Sequence, residues 1–198
     1  MKTVLCMLLF VSANVAQAFV VSQNLHNDYI THLYSVTNAV IADDPISDGI
    51  KYWIPVRSNE WAEIVYKFDI NSTIHNASLY TEIASFRSLS PGSESYLDVS
   101  PDGMNWYNLI TNTLGNSFYV FDDSITPYVS GSDEIWIRAK LLSMNTHPTG
   151  QAFYSQFMRS WVDDSKLFLI IDVPEPSTWA LCLLGFCCAY YFRFSRLL

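Results

Sequence analysis

Glu63-Ile64-Val65-Tyr66-Lys67-Phe68-Asp69-Ile70 alternates with a period of two. In an extended chain Ile64, Tyr66, Phe68 and Ile70 fall on one side, and Glu63, Val65, Lys67 and Asp69 on the other. A helix would scatter the same residues around its circumference, so the stretch reads as a half-buried strand. Asp133 to Leu141 repeats the pattern, with Ile135, Ile137, Ala139 and Leu141 inward and Arg138 and Lys140 outward. Lys166 to Val173 is more apolar throughout and reads as a central strand. Weaker strand patterns cover Tyr29 to Val36, Lys51 to Pro55, Ala77 to Phe86, Tyr96 to Ser100, Tyr107 to Thr111, Ser117 to Phe121 and Ala152 to Met158. Turn-rich segments such as Ser90-Pro91-Gly92-Ser93 and Val129-Ser130-Gly131-Ser132 separate them. Many short strands punctuated by turns predict an all-β sandwich or barrel.

One hairpin is legible in detail. Tyr96 to Ser100 runs into Pro101-Asp102-Gly103, and the chain resumes at Trp106. Pro101 presets φ, Asp102 can bond its own backbone, and Gly103 accepts a positive φ. Trp106 can then fold back over the hairpin. The phrase Ser100-x-Asp102-Gly103-x-Asn105-Trp106 is similar to hairpins of discoidin-like and galactose-binding-like jelly rolls, a resemblance that implies a single antiparallel jelly-roll-like β-sandwich. It also resembles the Asp-box hairpin of sialidases, with one residue missing from that spacing.

The two ends of the chain read as addresses. Lys2, the apolar run Val4 to Val11 and Ala16-Gln17-Ala18 follow the order of a secretory signal peptide cut after Ala18. That places residues 1–18 in a signal peptide, handled by the export translocon and signal peptidase. At the other end, an apolar block from Trp179 to Phe192 is followed by Arg193 and Arg196. Counted from Ser177 the block holds sixteen residues, or roughly 24 Å of helix, against a hydrocarbon core of ~30 Å. Such a short transmembrane helix is accommodated by bilayer thinning or by snorkelling arginines. The arginines favour the cytoplasmic side, which leaves the body outside the inner membrane.

Val173-Pro174-Glu175-Pro176-Ser177-Thr178-Trp179-Ala180-Leu181, the apolar helix and the terminal arginines together resemble the PEP-CTERM sorting signal. The resemblance covers residues 173–198. It implies handling by an exosortase-type membrane protease. Pro174, Glu175 and Pro176 would be the recognition residues, with Arg193 and Arg196 as the basic end. Two prolines also keep the triplet extended and accessible. The implied location is transient anchorage in the membrane by the C-terminal helix, then the cell surface or the extracellular space.

Residues 19–172 remain as one β-sandwich domain, long enough for a sizeable core. The four cysteines, Cys6, Cys182, Cys187 and Cys188, all lie outside it. The domain therefore has no internal disulfide and no cysteine-ligated zinc. It carries 8 Lys plus Arg against 18 Asp plus Glu, which disfavours a nucleic-acid partner. His26, His32, His75 and His147 form no tight metal-binding spacing, and no nucleophile elbow or phosphate-binding Gly-rich loop occurs. A non-enzyme is expected.

Two ligand classes fit the residue types. Asp43, Asp44 and Asp48 precede a strand and read either as a solvated acidic loop or as oxygen ligands for Ca²⁺. The jelly-roll resemblance implies a structural Ca²⁺ of that kind. Trp53 and Trp61 flank a loop, and Trp136 shares the phase of Arg138 on the charged face of its strand. Indoles either fill a sandwich core or stack on the apolar faces of sugar rings. Proteins bearing the resembling tail are tied to exopolysaccharide production. The resemblance thus implies a surface or matrix protein with an exopolysaccharide partner, and Trp53, Trp61 and Trp136 are the candidate sugar-stacking residues of the body. A structural or adhesive matrix protein without a defined small ligand is the alternative, with a secreted glycan hydrolase behind it.

Overall fold

The structure is a computed structural model. It describes residues 16–26, 30–44, 49–113, 116–145, 154–161 and 166–174. The first four strands are β1 (Ala16–Gln23), β2 (Leu33–Thr37), β3 (Ala39–Asp43) and β4 (Ile50–Pro55). Next come β5 (Trp61–Asp69), β6 (Asn76–Phe86), β7 (Glu94–Ser100) and β8 (Tyr107–Asn112). After β9 (Asn116–Ser124) there is one helical turn, α1 (Thr126–Val129). The last strands are β10 (Glu134–Leu142), β11 (Ser155–Trp161) and β12 (Leu167–Pro174).

The strands form two sheets. One is five-stranded, in the order β2-β5-β10-β7-β8, and antiparallel throughout. The other is seven-stranded, in the order β1-β12-β6-β11-β4-β3, with β9 also on β6. Strand β6 holds that sheet together. Residues Ser78 to Phe86 pair with β9 on one edge, while the other edge pairs with β12 at Asn76–Thr81 and with β11 at Ile83–Ser85.

The period-two alternation sets which side of each strand is buried. Ile64, Tyr66 and Phe68 of β5, Ile135, Ile137, Ala139 and Leu141 of β10, and Leu97 and Val99 of β7 all point inward. They meet Ala77, Leu79 and Ile83 of β6, Leu167, Leu169 and Ile171 of β12, Trp53 of β4 and Phe157 of β11 in one apolar core. Two sheets sharing one core make a β-sandwich. Each large side chain fully buried there contributes roughly 1.5–3 kcal/mol relative to exposure, so the inner-face alternation dominates the choice of register.

Ala18–Val173 forms one compact unit. Of the second unit, Met1–Gln17 with Pro174–Leu198, only Ala16, Gln17 and Pro174 are described, as strand residues. Ala16 and Ala18 sit in β1, which the signal-peptide pattern does not foretell. Phe19 and Val21 of that strand pack against the core. Strand β3 is the other strand beyond the sequence reading: the stretch before Asp43-Asp44 pairs with β4 from Ala39↔Pro55 to Asp43↔Lys51. Among the described residues no helix is long and apolar enough to cross a membrane. The block Trp179 to Phe192 lies outside the described residues.

Candidate glycan-binding face

The same alternation that fills the core equips the outer face of the five-stranded sheet. Trp61, Glu63, Val65, Lys67 and Asp69 of β5 lie beside Leu142, Lys140, Arg138, Trp136 and Glu134 of β10. These in turn lie beside Glu94, Tyr96, Asp98 and Ser100 of β7, in the pairs Leu142↔Glu94, Lys140↔Tyr96, Arg138↔Asp98 and Trp136↔Ser100. Aromatic rings and charges thus alternate across the strands.

An open cleft of about 490 Å³ lies on this face, lined by Trp61, Tyr96, Asp98, Asn108, Thr111 and Lys140. Trp61, at the first position of β5, is 42% exposed. Its ring centroid is 5.6 Å from that of Tyr96, and the Lys140 ammonium lies 5.0 Å from its centroid. The Tyr96 hydroxyl donates to Glu94 Oε2 at 2.7 Å, and this bond to a carboxylate raises the phenol above its ordinary pKa.

The polar residues of the cleft are fixed by one another. Arg138 donates to Asp98 Oδ2 from Nη2 at 2.8 Å and from Nε at 3.0 Å. Asn108 Nδ2 donates to Asp98 Oδ1 at 2.9 Å, and Thr111 Oγ1 donates to Asn108 Oδ1 at 2.8 Å. The Arg138 guanidinium also stacks over Trp106, 4.1 Å from the ring centroid, and lies 3.8 Å from Glu63. Charge-assisted bonds of this kind hold side chains in place before a ligand arrives.

The hairpin loop supports the face from one side. Asp102 Oδ1 accepts backbone N–H bonds from Asn105 at 2.8 Å and Met104 at 2.9 Å, and the Asn105 side chain donates to Oδ2. These donors hold the Asp102 carboxyl well below the usual carboxylate range. Gly103 has φ +71°, and a Cβ built there would lie 3.0 Å from the Trp136 ring. The loop therefore rests on Trp136, as Pro101, Asp102 and Gly103 foreshadow, and Trp106 does fold back, onto Arg138.

The three expected indoles divide. Trp53 is 4% exposed and donates from Nε1 to the Tyr66 hydroxyl at 3.1 Å, inside the core. Trp136 keeps the outward phase but is only 9% exposed, so the exposure expected of it is corrected. Tyr34 meets it edge-on at 4.6 Å, the Lys67 ammonium covers it at 5.1 Å, and the Gly103 loop closes over it. Trp61 alone of the three is well exposed and lines the cleft. Tyr96, Asp98, Asn108, Thr111, Lys140, Arg138 and Trp106 were not foreseen as site residues. The outward phase of Lys140 and the hairpin tyrosine were the available signals, but neither says which strands are neighbours.

The acidic cluster is placed in part. Asp43 ends β3, exposed and opposite Lys51. Asp44 lies 3.5 Å from Arg159. Asp48 lies outside the described residues, among which no three His, Cys, Asp or Glu side chains converge as a metal-ion group. Pro174 ends β12, while Glu175, Pro176, Arg193 and Arg196 lie outside the described residues.

A flat indole beside fixed hydrogen-bonding groups suits a ligand with apolar faces and a hydroxylated rim, which is the chemistry of a sugar ring. No protein-family model matches the chain, and no curated protein matches it. Solved structures with a similar outline include a mutant of a family 29 carbohydrate binding module, at 9% identity and TM-score 0.44, covering 79% of this chain and 92% of that one. A second family 29 module, complexed with mannohexaose, has 11% identity and TM-score 0.42 over 79% of this chain and 92% of its own. A third, from Piromyces equi, has 11% identity and TM-score 0.41 over 80% of this chain and 91% of its own. Likeness at this level assigns no family.

Proposed function

We propose that the chain is an exported, non-catalytic glycan-binding protein of a cell-surface or matrix system. Its outer sheet face holds polysaccharide at the cleft between Trp61 and Thr111. The observation that carries this reading is the half-exposed Trp61 indole beside Lys140 and a polar set, Asp98, Asn108 and Thr111, locked by Arg138. Stacking on an exposed ring supplies affinity, and the locked donors and acceptors supply orientation. On this reading the jelly-roll resemblance of the hairpin is a resemblance of binding modules.

The ends of the chain fit the same role. Residues 1–18 direct export and are removed by signal peptidase. Residues 173–198 anchor the protein until an exosortase-type protease reads Pro174-Glu175-Pro176. The body then sits at the surface, where its partner is exopolysaccharide.

Affinity electrophoresis through gels cast with a panel of neutral and acidic polysaccharides tests the binding claim. Wild-type protein is retarded by at least one polysaccharide. Trp61→Ala abolishes the retardation and Lys140→Ala weakens it. Trp53→Phe, altered in the core and away from the cleft, keeps it. Undiminished retardation of Trp61→Ala, or no retardation of wild type by any polysaccharide, overturns the proposal.

A further inference from the structure

We infer that Asn71 accepts an N-linked glycan in the exported protein, and that the fold spares the chain's other acceptor sequence. Asn-x-Ser/Thr is the acceptor pattern for this modification in surface loops of secreted proteins. It occurs twice, at Asn71-Ser72-Thr73 and at Asn76-Ala77-Ser78. The inference rests on the export half of the proposed function and is independent of the cleft.

The two sites differ in what a transferase could reach. Asn71 lies in the turn between β5 and β6 with φ +58°, a left-handed conformation that asparagine tolerates. Both flanks of that turn are pinned. Ile70 N–H bonds to Asp133 C=O and Ile74 N–H to Ser132 C=O, each at 2.8 Å, and the Ile74 side chain is buried. Asn71 and Thr73 stand exposed between these anchors. Within the described residues the Asn71 amide forms no hydrogen bond, so its nitrogen is free to react. Asn76 is also exposed, but it opens β6 in register with Asp172 of β12, and its Nδ2 donates to Asp172 Oδ2 at 3.4 Å, so it is held as sheet and not as a turn. The paired backbone at Asn76 does not offer the turn conformation that Asn71 presents.

The donor is an oligosaccharide carried on a lipid diphosphate. The Asn71 amide nitrogen forms a bond to the anomeric carbon of the sugar. The bond from that carbon to the phosphate oxygen breaks, the lipid diphosphate leaves with the electron pair, and the amide loses one proton to a base. The added sugars enlarge the polar surface without touching the cleft. Trp61 and Asp69 are the two ends of β5, and at ~3.3 Å per residue its eight steps put them about 26 Å apart.

Mass spectrometry of the protein isolated from the cells that make it tests the inference. Electron-transfer fragmentation of the peptide following Lys67 localises any added mass. The expected result is an oligosaccharide mass on Asn71, none on Asn76, and retardation by polysaccharide unchanged in Asn71→Gln. Thr73→Val, which leaves Asn71 in place, loses the added mass, and Thr73→Ser keeps it. A bare Asn71 in protein that has lost residues 1–18 overturns this inference and leaves the glycan-binding proposal intact. A glycan on Asn76 also overturns it. Recovery of unprocessed protein from the cytosol overturns both.

Discussion

Replacing Gly103 with Ala tests whether the hairpin loop is seated on Trp136. Two penalties act there. Gly103 has φ +71°, and a residue with a Cβ loses roughly 1–2 kcal/mol in the left-handed region. The new methyl would also lie 3.0, 3.1 and 3.2 Å from three atoms of the Trp136 ring. That indole is held by Tyr34 on one side and Lys67 on another, so it has little room to yield. Overpacking of this kind costs about 1–3 kcal/mol. Gly131 separates the two penalties. Its φ is +87° and nothing lies within 4 Å of a Cβ built there, so Gly131→Ala incurs the backbone penalty alone. The expected result is that Gly103→Ala is less stable than Gly131→Ala by about 1–3 kcal/mol. With a urea m-value of about 2 kcal/mol/M, that is a further drop in midpoint of about 0.5–1.5 M. Equilibrium urea unfolding followed by tryptophan fluorescence measures it. If the two variants unfold within about 0.5 kcal/mol of each other, the normal scatter between independent sites, the seating of the loop on Trp136 is refuted.

The remaining predictions concern the loop carboxylate and the tail. Asp102 is held below the usual carboxylate range by the N–H groups of Asn105 and Met104, so its ionised form favours the folded state. That contribution is complete above the ordinary Asp value of about 4 and is lost as pH falls through the depressed folded value. The urea midpoint of Asp102→Asn should therefore lie below wild type at pH 7, and the gap should narrow once pH drops below about 4. A gap that stays constant with pH excludes the charge as its cause. For the tail, Glu175→Ala should leave a full-length precursor in the membrane fraction, read by immunoblot. Normal amounts of shortened protein would show that Glu175 is not recognised.

How far the fold was legible depended on whether a strand has a wet side. In β5 and β10 one face is core and the other solvent, so apolar and charged residues alternate and the reading is direct. Strand β3 carries Ala39-Val40-Ile41-Ala42, four small or branched residues with no polar alternation. Ala42 turns away from the main core into a second cluster with Ile50, Tyr52 and Ile54. With apolar contacts on both faces, period two vanishes, and the acidic pair that follows suggested a loop instead. In β1 the apolar residues that pack on the core, Phe19 and Val21, follow directly on a small-x-small pattern, so one stretch carried two readings.

The site was less legible because it belongs to no single strand. The phase of Trp136 relative to Arg138 gave its side of the sheet correctly. Its burial was decided elsewhere. Trp136 sits mid-sheet, between Lys67 of β5 and Ser100 of β7. Ser100 Oγ accepts N–H bonds from Asp102 and Gly103, which holds the Gly103 loop against the indole. Trp61 occupies the end of β5, opposite Leu142, where Tyr96 and Lys140 approach its ring. Alternation within a strand therefore tells which indoles leave the core. Whether they then reach solvent depends on register and on the loop after β7, and both are set by residues tens of positions away in the chain. An outward aromatic at a strand end, beside an outward lysine two residues from its cross-strand partner, is the pattern that separates the exposed Trp61 from the covered Trp136 on this face.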